Sequence, residues 1–272
     1  DINYNGYLTD AKSSPANILS STLSDELKVA TSGKAIVYAI APFREAAIIS
    51  AGHAADGAIW IDDINGQWCS STYYFAQLPS WISAYQRIYA NTFVETEWKP
   101  INELSGNFSY FLSGGMQSPF NHKFKDDNRY IKFKTSGLVN ESITDISLQC
   151  LNSTGIGIDN ITDLLNITYY AGCYDSKPVA ECQMEIQDTY VRLDKSIEKL
   201  ISKIEERFGS DKVLFCITST GYFNDGSADY SQYRIPSGTF NITRNANLLN
   251  MYLGAIWGQA QYVEACFGAQ IY

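Results

Sequence analysis

Lys34-Ala-Ile-Val-Tyr-Ala-Ile40, the segment Arg44 to Ser50, and Ala58-Ile-Trp-Ile-Asp62 decide the fold between them. The first and third are short, continuously apolar runs, the pattern of strands buried on both faces as in a parallel sheet. The segment between them, entered after Pro42, reads as a short helix. Strand, helix and strand in this order build an α/β layer. Working outward, Ser13-Ser-Pro15 opens a helix with a capping residue and an early proline. Ile18, Leu19, Thr22, Leu23, Leu27 and Ala30 continue it at helical spacing, and Gly33 stops it. On the other side, the turn Asp63-Ile-Asn-Gly66 joins Ala58–Asp62 to Gln67-Trp-Cys-Ser-Ser-Thr-Tyr73 as a hairpin. Pro79 then starts an amphipathic helix running to about Asn91.

Three parts follow. Residues 1–91 form the first part of an α/β core. Residues 92–152 are rich in aromatics, Asn and Ser, with Ser113-Gly-Gly115 and Ser118-Pro119 as breakers, and read as an irregular insertion or cap lobe. Residues 153–272 resume the core. Ile161 to Tyr170 ends in β-favouring residues, and Met184 to Phe208 is the clearest helix, with Tyr190, Leu193, Ile197, Leu200, Ile201, Ile204 and Phe208 along one face. After Gly209, Lys212-Val-Leu-Phe-Cys-Ile-Thr218 is expected as another buried strand, with Cys216 a buried free thiol. Asn245 to Trp257 reads as a helix, with Tyr262–Cys266 and Gln270–Tyr272 as a closing strand pair.

The 272 residues carry a net charge of −9, with 45% hydrophobic residues, enough for a sizeable core. An acidic chain excludes a duplex nucleic-acid binder, whose affinity comes from Lys and Arg displacing counterions. No apolar run reaches the length of a membrane-spanning helix. The chain holds two histidines, His53 and His122, so a site needing three imidazoles cannot be built from it alone. Of the six cysteines, Cys173 and Cys182, nine apart in a polar loop, are the better disulfide pair for an oxidising compartment. His53 reads as a structural hydrogen-bonding residue and His122 as a solvated one.

Several stretches resemble the alkaline phosphatase superfamily, specifically its secreted Bacteroidetes branch of phosphate monoesterases and type I phosphodiesterases. They are Ser14 to Lys28, Ala51-Gly-His-Ala-Ala-Asp-Gly-Ala58, Gly66-Gln-Trp-Cys-Ser-Ser-Thr-Tyr-Tyr74, Glu185-Ile-Gln-Asp-Thr-Tyr-Val-Arg-Leu-Asp-Lys195 and Arg234-Ile-Pro-Ser-Gly238. The resemblance implies an α/β/α sandwich with a mostly parallel central sheet and its pocket at the carboxyl ends of the strands. It also implies two zinc ions held by Asp and His, with a Thr or Ser nucleophile between them.

The implied ligands are not here. Counting back from Asp188, the family's Asp-x-x-x-His pair falls on Cys173 and Lys177. Its second Asp-His pair, at the end of a buried strand, falls on Ser219 and Thr220. The phosphate-gripping Lys-x-Arg becomes Pro42-Phe-Arg44, keeping only the Arg. The resemblance therefore implies an inactive phosphatase-like protein, exported to the periplasm or cell surface, without metal or other cofactor. Its relict pocket of Arg44, Cys173, Lys177, Ser219 and Thr220 is a candidate for weak phosphate or sulfate binding. A protein or glycan is the expected partner. The alternative is a working metal-dependent phosphodiesterase or phosphatase, seen as a fragment and dependent on zinc. A third reading is a metal-free hydrolase using Cys173.

Overall fold

A computed structural model describes residues 2–4, 8–89, 96–101, 120–221, 241–267 and 270–272. The chain divides into two compact units, Asp1–Phe223 and Asn224–Tyr272. The first unit is built on a six-stranded sheet. Its strands are β1 (Ile2–Tyr4), β2 (Leu8–Lys12), β3 (Val37–Ile40), β4 (Gly57–Ile61), β5 (Trp68–Ser71) and β8 (Leu164–Ile167), in the order β2-β1-β5-β4-β3-β8. The centre is parallel: β3 pairs with β4 (Ile40 opposite Ile59) and with β8 (Ile40 opposite Ile167). β5 returns antiparallel to β4 through the expected hairpin, with Trp60 opposite Cys69. β1 and β2 extend that antiparallel flank.

Alternation along these strands makes two cores. Ile40, Ile59, Ile61 and Trp68 point to one side, and Ala39, Ala41, Ala58, Trp60 and Cys69 to the other. The small side chains of the second face admit α2 (Arg44–Ala51) closely, through Ala47, Ile48 and Ala51. The bulkier face receives α3 (Ser80–Tyr89), α5 (Leu138–Ser153) and α6 (Gln183–Phe208), through residues such as Ile82, Ile143, Ile146, Leu200 and Ile204. Helices cover both faces, so the expected α/β/α sandwich is present. Burying Ile40 and Ile59 alone contributes roughly 2 kcal/mol each.

Three local expectations are corrected. The helix expected from Ser13 onward is two elements. Ser14 caps a single 3-10 turn at Pro15–Asn17, and Thr22 then starts α1 (Leu23–Ala30). Thr22 and Asp25 form a reciprocal capping box, which fixes a new helix start there. The stretch 92–152, expected to be irregular, holds α4 (Arg129–Lys134) and all but the last residue of α5. Polar residues in α5 masked its period because they too are buried. Asn140 donates to Tyr170 O and accepts from Tyr170 N (2.8 Å each), and Thr144 bonds the Tyr169 hydroxyl at 2.7 Å. Residues 102–119 of that stretch lie outside the described residues.

The third correction concerns 212–218. This run is not a strand: its backbone enters no ladder among the described residues. Val213 and Phe215 pack on the core, while Leu214 is 87% exposed and Ile217 74%. Cys216, expected to be buried, is exposed. An apolar run becomes an interior strand only where neighbouring strands satisfy its N–H and C=O groups.

The second unit holds α7 (Ile242–Trp257) and a short antiparallel pair, β9 (Cys266–Phe267) with β10 (Gln270–Ile271). Asn241 caps α7 by accepting from Arg244 N at 2.9 Å. The Asn250 side chain accepts from Tyr262 N and Val263 N and donates to Val263 O, tying helix to loop. The segment Arg234–Gly238 lies outside the described residues.

Candidate functional site

The parallel register brings the carboxyl ends of β3, β4 and β8 to one level. Ala41 N donates to Ile59 O at 3.1 Å and Thr168 N to Ile40 O at 2.9 Å. The chain leaving β3 passes through Phe43 to Arg44, and the chain leaving β8 passes through Tyr170 to Cys173. The two exits touch, with the Phe43 and Tyr170 rings 5.9 Å apart. The Tyr170 hydroxyl reaches on to donate to Cys173 O at 2.5 Å. Of the five candidate pocket residues, Arg44 and Cys173 are thus carried by neighbouring strand ends. Lys177 follows four residues after Cys173, with its ammonium 5.9 Å from the Tyr174 ring.

Arg44 is already engaged. Its Nη2 and Nε donate to Glu45 Oε1 at 2.7 and 3.0 Å. Burial pushes the Glu45 carboxyl up, but Arg44 and nearby Lys134 outweigh it and hold the pKa below the usual carboxylate value. Ser219 and Thr220 are exposed, and the Ser219 hydroxyl donates to Gly221 O within its own turn. No contact among the described residues joins either to Arg44, Cys173 or Lys177.

Lys134 is the residue at this end that sequence reasoning missed. It is 2% exposed, pairs with Asp63, donates to Ile61 O at 3.2 Å and lies 4.7 Å over the Phe43 ring. One ammonium thereby ties the β3 exit to the β4–β5 turn. Nothing in Lys132-Phe-Lys134 marked it as buried.

His53 is the structural residue expected. Asp25 accepts from His53 N and Ala54 N (2.7 and 2.8 Å), from Thr22 N at 2.9 Å, and meets His53 Nδ1 at 3.2 Å. His53 Nε2 lies 3.1 Å from Ile18 O. Burial pushes Asp25 up, but these bonds outweigh it and hold the pKa at about 2. Gly52 adopts φ 68°, and a Cβ there would meet Thr22 and Asp25 side-chain oxygens at 2.2 to 2.8 Å, which only glycine avoids. Asp56 completes the motif, accepting from Val37 N at 2.8 Å and pairing with Lys28 at 2.7 Å.

His122 corrects its expectation. It is not solvated: its ring lies 4.2 Å from that of Tyr174 and 5.3 Å from Phe120, and Nε2 meets Glu185 Oε1 at 2.8 Å. β6 (Glu97–Trp98) and β7 (His122–Lys123) pair to put it there. Beside it, buried Asp188 accepts from Trp98 Nε1 and Ile101 N at 2.6 Å each and from Arg192 Nε at 2.8 Å. The i, i+4 spacing of Asp188 and Arg192 was the available signal.

No family model matches the chain. It is 28% identical over 219 residues to the alkaline phosphatase PhoV of Synechococcus elongatus, covering 76% of this chain and 40% of that protein. It is 25% identical to a calcium-transporting ATPase of Myroides odoratus and 24% identical to the alkaline phosphatase PafA of Elizabethkingia meningoseptica, in both cases over 95% of this chain and 50% of the relative. The crystal structure of wild-type PafA superposes with a TM-score of 0.70 at 20% identity, covering all of this chain and 54% of that one. The fold is that of an alkaline phosphatase. Sequence and fold together make the chain a relative of the alkaline phosphatase superfamily, and it spans about half the length of the curated relatives it matches.

Proposed function

We propose that this relative of the phosphatases is catalytically inactive and serves as an exported binding or assembly component. The observation that carries this reading is the donor chemistry at the four implied ligand positions: a thiol, an ammonium and two hydroxyls, at Cys173, Lys177, Ser219 and Thr220. A zinc pair would lower a nucleophile's pKa and neutralise phosphoryl oxygens. These residues do not fit it. Neutral hydroxyls are poor zinc partners, and an ammonium repels a dication. Among the described residues no group of three or more His, Cys, Asp and Glu is arranged to hold a metal ion.

A guanidinium and an ammonium still suit phosphate or sulfate oxygens. Arg44 shares its guanidinium with Glu45, so an anion has to compete with that carboxylate and is held weakly. Binding of a protein or glycan partner then remains as the chain's role. Export to the periplasm or cell surface belongs to the same reading, supported by the resemblance to a secreted branch. No described helix is long and apolar enough to cross a membrane.

The test is hydrolysis of p-nitrophenyl phosphate and its bis ester by the purified protein. No turnover above buffer is expected, and turnover abolished by a chelator contradicts the proposal. Regained zinc binding in the combined variant Cys173→Asp, Lys177→His, Ser219→Asp, Thr220→His would support the assignment of positions. A precursor with an export signal upstream of Asp1 is expected; one without any such signal contradicts the localisation.

A further inference from the structure

α7 is apolar on two sides. Its inner side, Ile242, Ala246, Leu249 and Leu253, is half-buried, and Asn250 ties the helix to Tyr262 and Val263. A second stripe, Leu248, Met251, Tyr252 and Ala255, recurs at helical spacing and is exposed, Met251 at 68% and Tyr252 at 63%. A surface helix ordinarily turns one apolar stripe to its core and a polar face to water. Here only a narrow strip, Thr243, Asn247 and Asn250, is polar between the two. Met and Tyr are enriched where one protein packs on another.

Charge marks the occupant. Arg244, four residues before Leu248 on the same stripe, is the single charged residue of α7. It forms no ion pair among the described residues. It stands in the first turn, where the positive end of the helix dipole disfavours a cation. At the other end of the stripe the last carbonyls form the negative end, and no basic residue lies in the last turn to meet it. The stripe thus carries a misplaced cation at one end and an unmet negative pole at the other.

We propose that this stripe is a homodimer surface, packing antiparallel across a two-fold axis against α7 of a second copy. Setting Leu248 opposite Ala255 and Met251 opposite Tyr252 brings each Arg244 to the C-terminal end of the facing helix. Each misplaced cation then meets a negative pole, twice over by symmetry. A parallel pairing would instead set Arg244 beside Arg244 and like poles together. The helix is about 24 Å long. The pair therefore buries less than a standard-size interface, and the dimer is reversible, with a Kd on the order of 10 μM. This inference stands on α7 alone and is independent of whether the chain is inactive.

The experiment is sedimentation of the full chain from about 1 to about 200 μM. A monomer–dimer equilibrium is expected, weakened about 100-fold by Met251→Glu, which sets like charges at the centre of the contact. Arg244→Glu improves the start of its own helix yet should weaken the dimer about 10-fold. Leu214→Ser, at an exposed apolar residue of the other unit, should leave it unchanged. Orientation is read by oxidising a mixture of Leu248→Cys and Ala255→Cys chains, both in a Cys216→Ser, Cys266→Ser background. A disulfide between the unlike chains is expected. Leu248→Cys chains linked to one another without the mixed product would show a parallel pair and overturn the proposal. So would a dimer that Met251→Glu leaves intact, or a chain that stays monomeric over the whole range. Slow hydrogen exchange along α7 in such a monomer would assign the stripe to an occupant within the chain.

Discussion

Gly52–Asp56 and Cys173–Lys177 both lie in the part of the chain that resembles the phosphatases, and their residues are engaged differently. In the first, the residues of the motif hold the structure: Asp25 gathers the N–H groups of Thr22, His53 and Ala54, and Asp56 holds the start of β3. In the second, the backbone still leaves the carboxyl end of a parallel strand, but the residues bear a thiol and an ammonium. A motif whose work is packing and hydrogen bonding resists change, because each loss strands a buried donor. On the proposed reading, Cys173 and Lys177 stand where ligand chemistry is no longer used, and such positions are free to change. The comparison predicts where substitutions will hurt.

The largest effect is expected at Asp188, which belongs with the first kind. Asp188→Ala strips partners from Trp98 Nε1, Ile101 N and the buried side of Arg192. A loss of about 3–5 kcal/mol in urea unfolding is expected. An effect below about 1 kcal/mol would mean that water replaces those bonds and that the network is incidental.

Next comes Asp25. Its pKa is lowered from 3.8 to about 2 in the folded chain, so its contribution is complete above 3.8 and is lost as pH falls through about 2. The folded state should lose about 2 kcal/mol across that window. Urea midpoints of the parent and of Asp25→Asn check this. The parent should show the acid-dependent loss and the variant should lack this part of it.

At Lys177 and Cys173 the changes should be small. Lys177→Ala should shift stability by no more than about 0.5 kcal/mol and Cys173→Ser by less than about 1 kcal/mol. Losses like that of Asp188→Ala would show the second region to be as structural as the first. Smallest of all is Leu214→Ser, at a side chain 87% exposed; a change within about 0.5 kcal/mol is expected.

Much of the fold was legible, and the misses share a cause. Lys34–Ile40, Arg44–Ser50 and Ala58–Asp62 read correctly because their apolar residues face two cores at strand and helix periods. Met184–Phe208 read correctly because Leu200 and Ile204 recur at helical spacing on its buried side, although Asp188, Thr189 and Ser196 are buried there as well. Leu138–Ser153 was missed because its Asn140, Thr144 and Ser147 are as buried as its Ile143 and Ile146, so polarity no longer reports exposure. Lys212–Thr218 failed in the opposite direction: local pattern cannot say whether a strand has neighbours. At the site, topology foretold that the segments carrying Arg44 and Cys173 leave adjacent parallel strands, β3 and β8. Buried Lys134 and the setting of His122 depend on contacts between distant segments, which no local spacing records.

The inactivity proposal stands or falls on metal. Elemental analysis of the purified full-length protein, after equilibration with zinc and removal of the unbound ion, tests it most directly. The expected result is no stoichiometric zinc, because Cys173, Lys177, Ser219 and Thr220 offer neither the carboxylates nor the imidazoles of a bimetal site. Two zinc ions per chain would contradict it.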